Sequence, residues 1–272
     1  MIYRVASSCL LVAITLFAAA PVASAAPVAD TVYLQEVGVK VPAPAPIVSV
    51  AVADGTAYVA GRDAVYAVEG DALSPMDAPK GAVLKLEALN DVLYAIADSG
   101  LYRLDGRAWT QLAPGAFVDM CVHLGVAHAA SANELFRIEG DALASIPNSK
   151  SRAPIQAIAS YSGTLYVLHP GRLAVYDPYA GGYEREDNVQ DWGQSLPPVT
   201  RDMLSLGSKL FVATDRGLAQ LRGMALTTVR GADGLPYEDA TCLAEGFGGD
   251  LWIGTSRGAI RNTGGEYHYF NA

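Results

Sequence analysis

Three observations in the 272-residue sequence predict an all-β fold, a six-bladed β-propeller of four-stranded antiparallel blades. A strand carrying an aromatic residue or histidine, followed by a turn and an apolar strand, recurs at Tyr58, Tyr94, His128, Tyr166, Phe211 and Trp252. The intervals are 36, 34, 38, 45 and 41 residues. Val-Glu-Gly-Asp-Ala-Leu at 68–73 returns as Ile-Glu-Gly-Asp-Ala-Leu at 138–143, a spacing of 70 residues or two units. Beyond residue 30 no segment carries a helical apolar stripe, and short apolar runs alternate with Gly and Asp turns at hairpin spacing. Four short strands per unit of about 40 residues is the signature of a propeller. Packing each sheet on its neighbours also protects strand edges that an open sheet leaves free. A solenoid would carry special capping repeats, and no unit here reads as one.

Taken in chain order, residues 1–25 read as a secretory signal peptide. Arg4 is the positive n-region, Cys9 to Ala20 is an apolar run with one Thr, and Ala23-Ser24-Ala25 is a small-x-small cleavage site. A run of twelve residues is too short to cross a bilayer, which takes about 20. Residues 26–46 follow as a strand-like segment around Tyr33, able to extend the first or last blade, and a stiff connector, Val41-Pro-Ala-Pro-Ala-Pro46. The propeller occupies 47–272. Its first unit places strands at 47–52, 57–60 and 65–68 and a fourth after Asp71. Residues 177–200 form the widest spacer and account for the 45-residue interval.

The last unit shows the pattern most fully. Gly234-Leu235-Pro236 precedes an apolar strand, Ala240 to Ala244, then Gly249-Asp250-Leu251-Trp252-Ile253-Gly254-Thr255-Ser256-Arg257-Gly258. This resembles the two-component-regulator propeller repeat, and Leu210 to Gly217 resembles a weaker copy. The resemblance covers about 40 residues well and about 80 loosely. It implies a β-propeller and, in many relatives, an extracytoplasmic sensing module of a membrane kinase; this chain carries no kinase sequence. In that family an Asp stands six residues before the Trp, where this chain has Gly246, with Glu245 adjoining. Thr255 to Gly258 reads as a tight turn in which Gly supplies positive φ, and Trp252 as a wedge filling the space between blades.

Composition narrows the function. The chain is 51% hydrophobic and 17% charged, with a formal net charge of −9 that becomes −10 without Arg4. Such a chain folds rather than staying disordered, and an acidic surface without clustered Lys and Arg excludes a nucleic-acid partner. Gly254-Thr255-Ser256-Arg257-Gly258 has GxSxG spacing but reads as a hairpin turn, not the strand-to-helix elbow of a nucleophile. GxGxxG, phosphate-loop, HExxH, CxxC and calcium-loop patterns do not occur, so no catalytic residue, cofactor or metal is assigned. Cys121 and Cys242 fall in opposite blades and read as two buried, unbridged thiols. His123 follows an innermost strand and is placed to face the central channel.

Binding residues are expected on loops. The second-to-third strand turns carry Arg62, Arg172, Arg216 and Arg257, and the connections between blades carry Trp192, Arg201, Asp202, Tyr237 and Asp239. Of these, Arg62, Arg172, Trp192, Arg216, Tyr237, Asp239 and Arg257 form the expected ligand-binding set. Aromatic, guanidinium and carboxylate groups on one rigid face suit a glycan-like polar ligand or a protein partner. The sequence thus predicts a non-catalytic, periplasmic or secreted binding module with no transmembrane segment in the mature chain. The alternative is a propeller lactonase, hydrolase or lyase with a metal or His at the channel.

Overall fold

A computed structural model of the chain describes residues 34–35, 41–147, 149–151, 153–177, 182–183, 196–223 and 225–271. Two compact units divide it, 1–34 and 35–272, and the propeller is the second. The expected signal peptide, 1–25, lies outside the described residues.

Strand β1 (Leu34–Gln35) stands before the first blade. Blade 1 contains β2 (Ser49–Ala53), β3 (Thr56–Ala60), β4 (Val65–Glu69) and β5 (Ala72–Met76). Blade 2 contains β6 (Val83–Leu89), β7 (Val92–Ala97), β8 (Gly100–Asp105) and β9 (Ala108–Pro114). Blade 3 contains β10 (Phe117–His123), β11 (Val126–Ser131), β12 (Leu135–Glu139) and β13 (Ala142–Ser145). Blade 4 contains β14 (Ala157–Tyr161), β15 (Thr164–His169), β16 (Arg172–Asp177) and β17 (Gly182–Tyr183). Blade 5 contains β18 (Thr200–Leu206), β19 (Lys209–Thr214), β20 (Gly217–Arg222) and β21 (Ala225–Val229). Blade 6 contains β22 (Ala240–Glu245), β23 (Leu251–Thr255), β24 (Gly258–Thr263) and β25 (Glu266–Asn271).

Each blade is an antiparallel sheet of consecutive strands, and β1 is the fifth strand of the last sheet, beside β25. The expected six four-stranded blades are therefore present, and all six repeat aromatics or histidines fall on the second strand of a blade.

The core is divided among the seams between blades. Five apolar clusters join blades 1–2, 2–3, 3–4, 4–5 and 5–6 in turn. Among the described residues no sixth cluster joins blade 6 to blade 1. There β2 leaves Val50 and Val52 58% and 61% exposed.

Polar clasps reinforce the seams near the channel. Ser49 Oγ accepts the Leu86 amide at 2.9 Å. Asp119 Oδ2 accepts the Ile158 amide and Asp202 Oδ2 the Leu243 amide, both at 2.7 Å. Asp119 and Asp202 both follow a register shift in the innermost strand, where the extra residue turns the side chain toward the next blade. The clasps thus run from blade 1 to 2, 3 to 4 and 5 to 6. Lys85, at the matching shift in blade 2, donates to Asp119 and joins blade 2 to 3.

The last unit's motif residues are explained by position. Gly234 adopts φ 95° at the end of a short 3-10 turn, Gly231–Asp233, which lets the fully buried Leu235 enter the blade 5–6 core. In both copies of the T-x-R-G turn the Thr hydroxyl donates to the Gly carbonyl, Thr214 to Gly217 at 2.7 Å and Thr255 to Gly258 at 2.9 Å. The same hydroxyl accepts the Arg amide, from Arg216 and Arg257 respectively. Gly217 has φ 105°, and a Cβ there would meet the Val229 carbonyl oxygen at 2.2 Å.

Candidate functional site

Strand order fixes which loops share a face. In blades of consecutive antiparallel strands, second-to-third strand turns lie at the same end as the connections entering the next blade. Arg62, Arg216 and Arg257 are on such turns, Arg172 is the first residue of β16 just after its turn, and Tyr237 and Asp239 lie on the connection into β22. Bonds between these loops confirm the arrangement: the Val83 amide donates to Arg62 O, and the Gly217 amide to Glu238 O.

Blade 6 concentrates the candidate groups. The Arg257 guanidinium sits 4.9 Å from the Tyr237 ring centre. Tyr237 meets Tyr269 edge-on at 5.0 Å, and the Tyr269 hydroxyl donates to Arg257 O at 2.6 Å. Asp239 Oδ2 accepts from both the amide and the hydroxyl of Ser256 on the same turn. Those bonds, with Arg257 nearby, hold the Asp239 carboxyl below its usual range, so it is an anion at neutral pH. Exposed Arg216 stands on the turn bonded to Glu238, beside this group.

The structure therefore brings Tyr237, Asp239 and Arg257 together, with Arg216 adjacent, and leaves Arg62 and Arg172 on the same face in blades 1 and 4. Trp192 lies outside the described residues. Tyr269 was missed by sequence reasoning, although its two-residue alternation in Tyr267-His268-Tyr269 was a strand signal.

Asp202 does not belong to the loop face. It sits on β18, clasped to blade 6, because the strand already begins at Thr200, ahead of the Arg201-Asp202 pair that the sequence places on the connection. Exposed Arg201 beside it donates to Ala240 O at 3.1 Å. Trp252 is only half-buried, lying 5.1 Å from Phe270 and 5.9 Å from Arg261. Cys121 and Cys242 are both free, but neither meets the expected full burial: Cys121 on β10 is half-buried and Cys242 on β22 is exposed. Burial pushes the Cys121 thiol well above its usual range.

A charged group lines the innermost strands. Lys85 pairs with Glu87 at 3.0 Å and with the nearly buried Asp119. Burial works against the Lys85 ammonium, yet Asp119, Glu87 and Asp202 together hold it well above its usual range. Burial raises the Glu87 carboxyl against the opposing pull of Lys85, and likewise raises Asp202. The clasps account for Asp119 and Asp202, which leaves Glu87 as the carboxyl with the fewest structural duties. His123 stands at the end of β10, edge-on to His128 at 5.4 Å, with Nδ1 2.9 Å from Ser160 Oγ. Among the described residues no three His, Cys, Asp or Glu side chains group as a metal site, and no helix is long and apolar enough to cross a membrane.

Fold and face together define a six-bladed propeller with a polar loop cluster over blades 5 and 6. Solved structures share this fold. The extracellular domain of the putative hybrid two-component system BT3049 from B. thetaiotaomicron matches with TM-score 0.65 and 15% identity over 83% of this chain and 34% of its own. That of the putative one-component system BT4673 from the same organism matches with TM-score 0.60 and 17% identity, over 80% of this chain and 33% of its own. The chain thus spans about a third of the length of those extracellular domains. A catalytically inactive virginiamycin B lyase from Staphylococcus aureus, solved with quinupristin, matches with TM-score 0.62 and 13% identity over 83% of this chain and 84% of its own. No family model matches the chain, and no curated protein does. The propeller fold implied by the resemblance in the last unit is the fold shared with these extracellular domains.

Proposed function

We propose that this chain is an exported, non-catalytic propeller module that binds a polar, glycan-like ligand through its loop face. The observation that carries this reading is the Tyr237–Arg257–Tyr269 stack with the Asp239 carboxylate beside it. Aromatic surface for stacking on a sugar ring, with guanidinium and carboxylate groups for its hydroxyls, is the combination such a ligand needs. The connection and the turn are tied together, because Asp239 Oδ2 accepts the Ser256 amide and the Tyr269 hydroxyl of β25 donates to the Arg257 carbonyl oxygen. The extracellular domains of the same fold support an exported setting.

A thermal-shift screen of the protein against glycans, lactones and divalent metals tests this. A ligand at a hundred times its dissociation constant adds about 2.7 kcal/mol of stability. The expected result is a glycan shift lost in Arg257→Ala and Tyr237→Ala.

A second reading, a propeller enzyme, draws on the lyase match over most of both chains and on the channel carboxyl of Glu87. A shift produced by a metal, reversed by chelator and lost in Glu87→Gln would favour it. No shift with any compound favours a protein partner.

A further inference from the structure

Pairing registers align blade 3 with blade 4 residue by residue. Cys121 opposes His128 and His123 opposes Val126, while Ala159 opposes Tyr166 and Tyr161 opposes Thr164. His123 and His128 in blade 3 therefore occupy the positions of Tyr161 and Tyr166 in blade 4. The two rings of each pair lie at similar separations, 5.4 Å for the imidazoles and 5.9 Å for the phenols.

The consequence for packing differs. In the blade 4–5 seam both tyrosines are buried in the apolar cluster, and the Tyr161 hydroxyl donates to Ser208 O and accepts the Gly223 amide. In the blade 3–4 seam the smaller imidazoles leave a cleft of about 460 Å³ lined by His123, His128, Val126, Ile146, Leu165 and Tyr176. That volume lies within the roughly 300–1,000 Å³ of small-molecule sites. At the first-to-second strand turn the cleft ends at Leu124, 74% exposed, on the face opposite the arginine turns.

The cleft has a defined polar group. His128 Nδ1 is 2.8 Å from the Val126 carbonyl oxygen, which can only accept. The proton of the neutral ring is therefore on Nδ1, and Nε2 is left as an acceptor. The Tyr176 hydroxyl is engaged by Pro147 O at 2.7 Å, so that ring presents mainly apolar surface.

We propose that this cleft is a binding site for a small planar phenol, whose ring takes the space that tyrosine side chains fill in the next seam and whose hydroxyl donates to His128 Nε2. It stands apart from the loop-face reading, on different blades and the opposite face. No covalent step is involved.

Titration of the full chain with p-cresol, and with toluene as an apolar match, tests the site by calorimetry. A parallel nitrogen NMR experiment follows the His128 ring. The expected result is p-cresol bound about tenfold more tightly than toluene, the effect of one hydrogen bond to a buried acceptor, with a shift confined to His128 Nε2. His128→Phe should lose that preference. His123→Tyr with His128→Tyr should fill the cleft and abolish binding. Equal affinity for p-cresol and toluene, p-cresol binding that persists in the double variant, or no binding at all would overturn the proposal. The wild-type nitrogen shift keeps the test decisive if a variant fails to fold.

Discussion

The seams on either side of blade 4 have the same backbone frame and different fillings. On the blade 5 side, Tyr161, Tyr166, Leu210, Val212 and Leu221 close a continuous apolar core, and one hydroxyl ties the blades together. On the blade 3 side, two imidazoles stand where the phenols would be and a cleft remains. The comparison teaches that the blade repeat specifies strand register, while a few side chains at fixed register positions decide whether a seam is core or cavity. Stability should follow the first seam and small-molecule binding the second.

The largest effect is expected from Leu210→Ala, which opens a void in the filled seam at a fully buried position. A loss of about 2–5 kcal/mol is predicted, read as a lowered urea midpoint. Tyr161→Phe in the same seam removes both inter-blade bonds and leaves the Gly223 amide and the Ser208 carbonyl without that partner. A loss of roughly 1–3 kcal/mol is expected. The opposite sign is expected across blade 4: His123→Tyr with His128→Tyr should gain about 0.5–2 kcal/mol by filling space. A loss in that variant would show that the imidazoles are there for packing.

Acidity sharpens the same contrast. Burial holds both His123 and His128 below the ordinary histidine range, with Arg137 and the neighbouring imidazole adding to the effect at His128. The unfolded chain takes up protons from about pH 6.5 downward, whereas the folded rings resist until their lower pKa. This pair's contribution is therefore intact above about pH 6.5 and lost as pH falls through the folded values. Urea midpoints at pH 7.5 and pH 5 should differ less in the double tyrosine variant than in the wild type. The smallest effect belongs to Val50→Ala on the exposed face of β2, within about 0.5 kcal/mol.

Much of this architecture was legible in the sequence. The ring-bearing residue that recurs on the second strand, aromatic in five blades and His128 in the third, set the blade count. Gly234 and the T-x-R-G turns were legible because few residues tolerate positive φ. The clasps were not, since Asp119 and Asp202 act through amides about 40 residues away and look like ordinary carboxylates in the chain. Asp202 was assigned to a loop for that reason. Nor was the cleft, because His128 reads as one more blade aromatic until His123 is seen beside it and both are compared with Tyr161 and Tyr166. Tyr237, Asp239 and Arg257 were found as loop residues, but their joining in one stack depends on the connection and the turn lying side by side.

The functional claim places ligand recognition on the loop face, away from the seams that stabilise the ring. The most direct test is a glycan array probed in parallel with the wild-type protein and with Tyr237→Ala/Arg257→Ala, alongside the melting temperature of each. The account predicts wild-type binding to a restricted set of glycans, loss of that set in the variant, and melting temperatures within a few degrees of each other. Glycan binding that survives in a fully folded variant would contradict it.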